Sequence, residues 1–254
     1  MVGLGPAGLD LLLPIARAEI ERVPYRFART RRHPAVTELE ADGVAFETFD
    51  DAYDAAADFD QLYPSIVSRL IARAHEHGEV LYAVPGNPGV AERTVPLLRA
   101  AAGEALEVVV VPGLSFVDLA WTRLGRDPMA GVHIVDAADF VPSAAGRSGP
   151  ILIGHCINPL VMSDLKLVLL DALPAETPVV VLQRLGLPDE LVTELALVEL
   201  DRAVVPDHLT SVFVDAGERT IAGDVARLVA LAQRLRGPGG CPWDAEQKIG
   251  RAHV

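Results

Sequence analysis

Lysine is nearly missing from this sequence: of 22 basic residues only Lys166 and Lys248 are lysines, and the other 20 are arginines. Cysteine is equally scarce. Cys156 and Cys241 are the only two, too few for a disulfide framework and without the C-x-x-C spacing of a metal or redox site, so a reducing, cytoplasmic setting is expected. Positive charge as a whole is short, with 35 acidic residues against 22 basic and a net charge of -13. Such a surface repels phosphate backbones and anionic membranes, and nucleic acid is not expected as a partner. Long apolar runs are lacking too. Stretches such as "LEVVVVPGL" are of strand length, far below a membrane span, and no charged segment followed by an apolar one opens the chain. No G-K-[ST] occurs, which removes a Walker-type phosphate loop.

What is present is a chain of 254 residues, 50% hydrophobic, enough to bury the core of one large domain or two smaller ones. Short β-rich runs alternate with amphipathic ones: "VGL", a helix over residues 9–20, "YRFAR", a helix near "AVTELEA", a longer helix through "QLYPSIVSRLIARAHEHG", then "EVLYAVPG", "VAERTVPLLRAAAG" and "LEVVVVPG". This alternation predicts an α/β fold with a parallel sheet covered on both faces and ligand-binding loops at the strands' C-terminal ends. After about Val111 the texture shifts to "GVHIVDA", "GPILIGHC", "TPVVVLQRLG", "LVTELALVELDR" and "LTSVFV", strands with fewer clear helices between them, which predicts a second α/β unit with a more mixed sheet. A last helix, "AGDVARLVALAQRL", keeps apolar residues at the helical period and breaks at the Gly/Pro-rich "RGPGGCPWD".

Three Gly/Pro loops sit at predicted strand ends: "GLGPAG", "VPGNPG" and "VPGLSF". In the first, Gly3, Gly5 and Gly8 spell G-x-G-x-x-G, but a dinucleotide site needs an acidic residue ending the second strand. Arg29 and Thr30 stand there instead. An arginine could meet a 2′-phosphate, so a flavin or NADP enzyme remains a third reading. "PGLSF" lacks the second glycine of a nucleophile elbow, since Val117 occupies that place. His75 and His77, two apart at a helix end, point away from each other and read as a solvated terminus; His155 beside Cys156 has the same difficulty as a ligand pair. No metal site is expected. Glycine-rich loops with little charge suit close approach of backbone to a small molecule.

Taken together, "VGLGPAGLDLL", "RTRRHPAV", "VLYAVPGNPGVAERTV", "VVVPGLSFVD", "ILIGHCINPLVMSDLKLVLLDALP" and "DHLTSVFV" resemble the tetrapyrrole (corrin/porphyrin) methylases, S-adenosylmethionine-dependent enzymes. The similarity is greatest to the branch fused to a C-terminal MazG nucleoside-triphosphate pyrophosphohydrolase domain. It implies two α/β domains, over residues 1–111 and 112–222, with S-adenosylmethionine in a cleft between them. By motif, the first cofactor loop maps onto Gly5, Pro6 and Ala7, where Ala7 replaces a usual glycine. The family's Gly-Asp-Pro loop maps onto Gly86, Asn87 and Pro88, and its Pro-Gly loop onto Pro112, Gly113, Ser115 and Phe116. Backbone contacts from Ile153, Gly154 and Gly186 complete the implied pocket. Asn87 stands where the methylase loop has aspartate, and Phe116 where it has a smaller residue. The resemblance names neither the methyl acceptor nor a catalytic residue, and methyl transfer, largely a matter of in-line positioning and water exclusion, need not display one. Arg29, Arg31, Arg32 and Arg93 are candidates to meet an anionic tetrapyrrole, by proximity to the loops alone. Pairing into homodimers is also implied.

"LRGPGGCPWDAEQ" looks like the opening of a MazG domain. Residues 223–247 would be its helix and linker, while the glutamate-bearing helices that bind magnesium in such domains are missing, so magnesium is expected only there. Read through the codons AAG-ATC-GGA-AGA-GCA-CAC-GTC, residues 248–254, "KIGRAHV", match a common sequencing adapter; that stretch is expected to be foreign and the chain truncated. Met1 likewise stands where the family's first strand is already under way. The leading expectation is an S-adenosylmethionine-binding, methyltransferase-type domain of a bifunctional protein. A second makes this portion a regulatory or scaffolding module of a pyrophosphohydrolase.

Overall fold

The computed structural model describes residues 1–55, 59–140 and 149–217, with residue 235. Two compact units emerge: Met1–Arg126 together with Leu185–Glu190, and Asp127–Arg184 with the chain from Leu191 onward. The division falls after Arg126 rather than after Val111, because the helix that follows the third glycine loop packs with the first unit. Apart from Leu235, the predicted last helix, the linker and residues 248–254 lie outside the described residues.

The first unit carries a four-stranded parallel sheet in the order β1-β4-β2-β3, with β1 at Val2–Gly3, β2 at Arg26–Ala28, β3 at Glu47–Thr48 and β4 at Leu81–Val84. Its helices are α1 (Pro14–Arg22), α2 (Pro34–Ala41), α3 (Asp50–Ala55), α4 (Phe59–His77), α5 (Thr94–Ala102) and α6 (Phe116–Leu124). Every residue of β4 is buried, as expected of a parallel strand covered on both faces. Alternate side chains serve opposite layers: Leu81 and Ala83 join Val2, Ala16, Ile20 and Leu39, while Tyr82 and Val84 join Phe27, Phe49, Ile66 and Leu70.

Two predicted elements change form here. The helix expected over 9–20 is a 3-10 turn at Leu9–Leu11 followed by α1, which starts at Pro14. Proline suits the first helical position but forces the residue before it out of the helical region, and Leu13 is extended at φ -65°, ψ 140°. The strand expected in "LEVVVVPG" shrinks to one bridge, Val2 to Val111, held by Val111 N–H to the Met1 carbonyl and Gly3 N–H to the Val111 carbonyl. Pro112, next in line, has no N–H to extend it.

The second unit carries a five-stranded sheet ordered β5-β6-β9-β7-β8: His133–Asp136, Pro150–Gly154, Thr210–Asp215, Pro178–Gln183 and Leu191–Ala196. Only β5 and β6 pair in parallel; the other three pairings are antiparallel. Ile151, Ile153, Val179, Val181, Val212 and Val214 share one core with Met162, Leu165 and Leu169 of α7 (Pro159–Leu170). That helix is capped by Asn158, whose side chain accepts from Val161 N–H over 2.9 Å. "LVTELALVELDR" stops being a strand after Ala196 and turns into a 3-10 turn at Leu197–Glu199. No helix among the described residues is long and apolar enough to cross a membrane.

One of the two lysines is structural. Lys166 on α7 is 8% exposed, and its Nζ donates to Asp201 Oδ2 over 2.5 Å, an oxygen that also accepts from Ser163 Oγ at 3.3 Å. Asp201 is half-buried and also has Arg202 Nε 3.9 Å from its Oδ1, so losing Lys166 costs less than breaking a fully buried pair, about 2 kcal/mol. Lys166→Met is therefore expected to lower unfolding free energy in urea by about that amount, and Lys166→Met combined with Asp201→Leu to recover most of the loss.

Candidate functional site

The three glycine loops, residues 4–8, 85–92 and 112–115, meet through their backbones. Leu4 N–H donates to the Val84 carbonyl at 2.9 Å, Gly5 N–H to the Gly86 carbonyl at 3.2 Å, and Gly86 N–H back to the Gly5 carbonyl at 2.7 Å. Gly5 and Gly86 reach this reciprocal bridge at φ 78° and 66°, where a side chain is disfavoured. Behind them the backbones are closer than any Cβ allows. A Cβ on Gly3 would lie 2.5 Å from the Gly86 carbonyl oxygen and 2.7 Å from Gly113 N, and one on Gly113 would lie 2.4 Å from the same oxygen.

All the candidate site residues except Ile153 and Gly154 belong to the first unit. Gly5, Ala7, Pro88, Gly113 and Ser115 are buried, Pro6, Gly86, Asn87, Phe116 and Gly186 half-buried, and Pro112 exposed. Gly186, at φ 83°, comes against the first loop: a Cβ there would meet Leu11 Cδ1 at 2.8 Å and Ala7 Cβ at 3.3 Å. Its N–H is already committed to Glu190 Oε2 at 2.7 Å, and Glu190 is ion-paired with Arg123. Ser115 is likewise engaged, donating from N–H and Oγ to the Asp118 carboxylate at 2.7 and 2.9 Å in a box that starts α6. S-F-V-D carries the sequence signature of such a box. In the second unit Ile153 and Gly154 end β6 and are buried, with Gly154 opposite Asp136. The next residue, His155, sits at φ 57° with Nδ1 2.6 Å from Asp136 Oδ2, a partner that the spacing of histidines does not reveal. Cys156 is fully buried, and that burial pushes its thiol up to about 12.

Two residues that sequence reasoning missed hold the first loop, His33 just before α2 and Glu38 within it. His33 is 7% exposed, with Nε2 3.0 Å from the Gly5 carbonyl. A carbonyl only accepts, so Nε2 carries a proton. Burial brings its pKa down to about 4, against the opposing pull of the Gly5 bond. Glu38 Oε2 accepts from Leu9 N–H at 2.8 Å. The one available signal was His-Pro opening a helix next to a glycine loop.

The cations near these loops are largely matched. Arg29 donates to Glu92 at 2.9 Å and lies over the rings of Tyr53 and Tyr63, Arg31 pairs with Glu40 at 3.2 Å and Arg32 with Asp54 at 3.6 Å. Arg93 precedes α5. The arginine that an NADP site would turn toward a 2′-phosphate is therefore held by a carboxylate. No group of three or more metal-ligating side chains occurs among the described residues.

Known proteins share this chain's sequence pattern and fold. The family model for tetrapyrrole (corrin/porphyrin) methylases matches residues 1–201. An uncharacterized protein of Bacillus subtilis strain 168, YabN, is 33% identical over 250 residues, covering 97% of this chain and 51% of that protein, so the chain spans about half of its relative's length. Among solved structures, uroporphyrin-III C-methyltransferase from Thermus thermophilus superposes with a TM-score of 0.64 at 24% identity, over 89% of this chain and 96% of that one. The Thermus enzyme complexed with S-adenyl homocysteine gives 0.63 at 18%, over 89% and 97%. Cobalt precorrin-4 methyltransferase gives 0.63 at 15%, over 84% and 93%. At these identities the structural likeness is one of fold.

Gly113→Ala sets a methyl against backbone that cannot rotate away, and is expected to destabilise by about 3 kcal/mol; Gly43→Ala, whose Cβ meets nothing within 4 Å, should cost about 1 kcal/mol of backbone strain. Denaturant melts of the two variants check this. For His33 the folded pKa lies below the unfolded one, so its contribution is complete above about pH 6.5 and is lost as pH falls through about 4. His33→Gln, which keeps a donor and does not titrate, is expected to flatten the stability profile over that window by on the order of 3 kcal/mol.

Proposed function

This chain belongs to the tetrapyrrole (corrin/porphyrin) methylase family, and from that premise we propose that it binds S-adenosylmethionine on the interlocked glycine loops of its first unit, as a methyltransferase-type domain. The observation that carries the proposal is the reciprocal Gly5–Gly86 bridge with Gly3 and Gly113 packed behind it. The fit is chemical. Pro6, Ala7, Gly86, Pro88 and Gly113 present backbone and small apolar groups with no cation, and S-adenosylmethionine brings its own positive charge on a sulfonium, which a lysine or arginine would repel. When bound, it supplies a methyl group activated by that sulfonium. The chain's own part is positional: rigid loops hold the donor, Phe116 and Pro88 exclude water, and an acceptor must be presented in line. Backbone of Gly186, in the same unit, shares that role.

The remainder of the parent protein is proposed to be a MazG-type pyrophosphohydrolase. Its support is the "LRGPGGCPWDAEQ" motif and the relative twice this chain's length. A second reading, a scaffolding module without turnover, draws support from side chains already engaged within the fold: Ser115 by Asp118 and Arg29 by Glu92. Titration of S-adenosylhomocysteine into the full chain by calorimetry tests the first reading, with NADPH and FAD as controls. Micromolar binding of S-adenosylhomocysteine alone is expected. A folded chain that binds none of the three would sink the methyl-donor reading and leave the scaffold.

A further inference from the structure

Asn87 makes two side-chain hydrogen bonds of opposite sense. Its Nδ2 donates to the Gly113 carbonyl over 2.8 Å, and its Oδ1 accepts from Gly89 N–H over 2.8 Å. The partners fix which end of the amide is which, since a carbonyl accepts and an N–H donates. The second bond closes the turn of the second loop, which Val90 N–H to the Asn87 carbonyl at 2.9 Å continues. The first crosses to the third loop, 26 residues away in the chain, at the glycine whose backbone is pressed against Gly86 and Gly3. One side chain therefore holds the second loop's shape and its seat on the third.

Aspartate has the same shape and cannot do this when ionised. It could still accept from Gly89, but it would turn a charged oxygen on the Gly113 carbonyl at a position that needs a donor. The residue that departs from the methylase Gly-Asp-Pro pattern is thus the residue on which this loop packing depends. We infer that Asn87 is a positioning residue, whose amide locks the second loop on the third and so sets the methyl-donor loops, with no ionisable group left at that point to exchange a proton with an acceptor. This role rests on the S-adenosylmethionine reading; the lock itself does not. Any proton an acceptor loses at these loops must go to another group.

The test compares the full-length wild-type chain with Asn87→Asp and Asn87→Ala at about pH 8 and about pH 5.5, by ligand-free thermal melting and by calorimetric titration with S-adenosylhomocysteine at a temperature where all three are folded. In Asn87→Asp the Gly113 carbonyl favours the neutral carboxyl, which can donate to it, against the pull of Gly89 N–H toward the ionised form, and the expected net shift is upward. Asn87→Asp is expected to bind at least about tenfold more weakly at the higher pH and to regain most of that at the lower, while Asn87→Ala stays about tenfold weaker at both. Ligand-free melting points should show the same crossing pattern. Melting points of Asn87→Asp equal to wild type at the higher pH, or shifted equally at both, would overturn the lock. The pattern in melting combined with wild-type affinity in all three proteins would overturn the positioning role. A wild-type chain that binds no S-adenosylhomocysteine while the melting pattern holds removes the methyl-donor reading and keeps the lock.

Discussion

Three stretches of backbone, at Gly3, Gly86 and Gly113, come together: a Cβ on Gly3 or Gly113 would lie 2.5 or 2.4 Å from the Gly86 carbonyl oxygen, and Gly86 itself turns at φ 66°. Hydrogen bonds between Gly5 and Gly86 and between Gly3 and Val111 close that contact, and the first unit is arranged so that its strand ends arrive there. β1 and β4 pair in register directly beneath it. Because the contact is backbone on backbone, its geometry is set by steric exclusion, with the Asn87 side chain tying the second loop to the third. This makes the loops a rigid platform, which is what positioning of a methyl donor requires.

Polar groups around the platform are committed inward. His33 donates to Gly5, Glu38 accepts from Leu9, Asn87 bridges Gly89 and Gly113, and Asp118 takes both donors of Ser115. Each satisfies a polar group at the platform, although His33 Nδ1 stays buried without a hydrogen-bond partner. The nearby arginines follow the same logic, with Arg29, Arg31 and Arg32 facing carboxylates. The platform is left with backbone, small residues and little free charge, which fits a cationic cofactor better than a phosphate-bearing one.

How much of this was legible beforehand differs by element. The α/β class, the three loops and the family were readable because strand periodicity and Gly/Pro placement are local, and several ordered motifs agree. The break at Pro14 was readable in principle, since proline's steric rule acts on its immediate neighbour. The collapse of "LEVVVVPG" to a single bridge at Val111 was not, because apolar β-branched residues state a preference for extended backbone and nothing about how many partners an edge will find. His33 was hidden for a related reason: its role comes from a carbonyl 28 residues away.

The sequence by itself determined where glycines and prolines break the chain, and therefore which loops could approach one another without side chains in the way. It also determined the scarcity of lysine and cysteine and the acidic balance. Only the tertiary structure decided that Gly3, Gly86 and Gly113 touch, that Gly186 returns to Ala7, and that Asn87 donates to Gly113 rather than facing outward. The physical reason is range: backbone sterics act between neighbours along the chain, whereas a hydrogen bond between distant loops exists only once the sheet has brought both ends within 3 Å or so of each other.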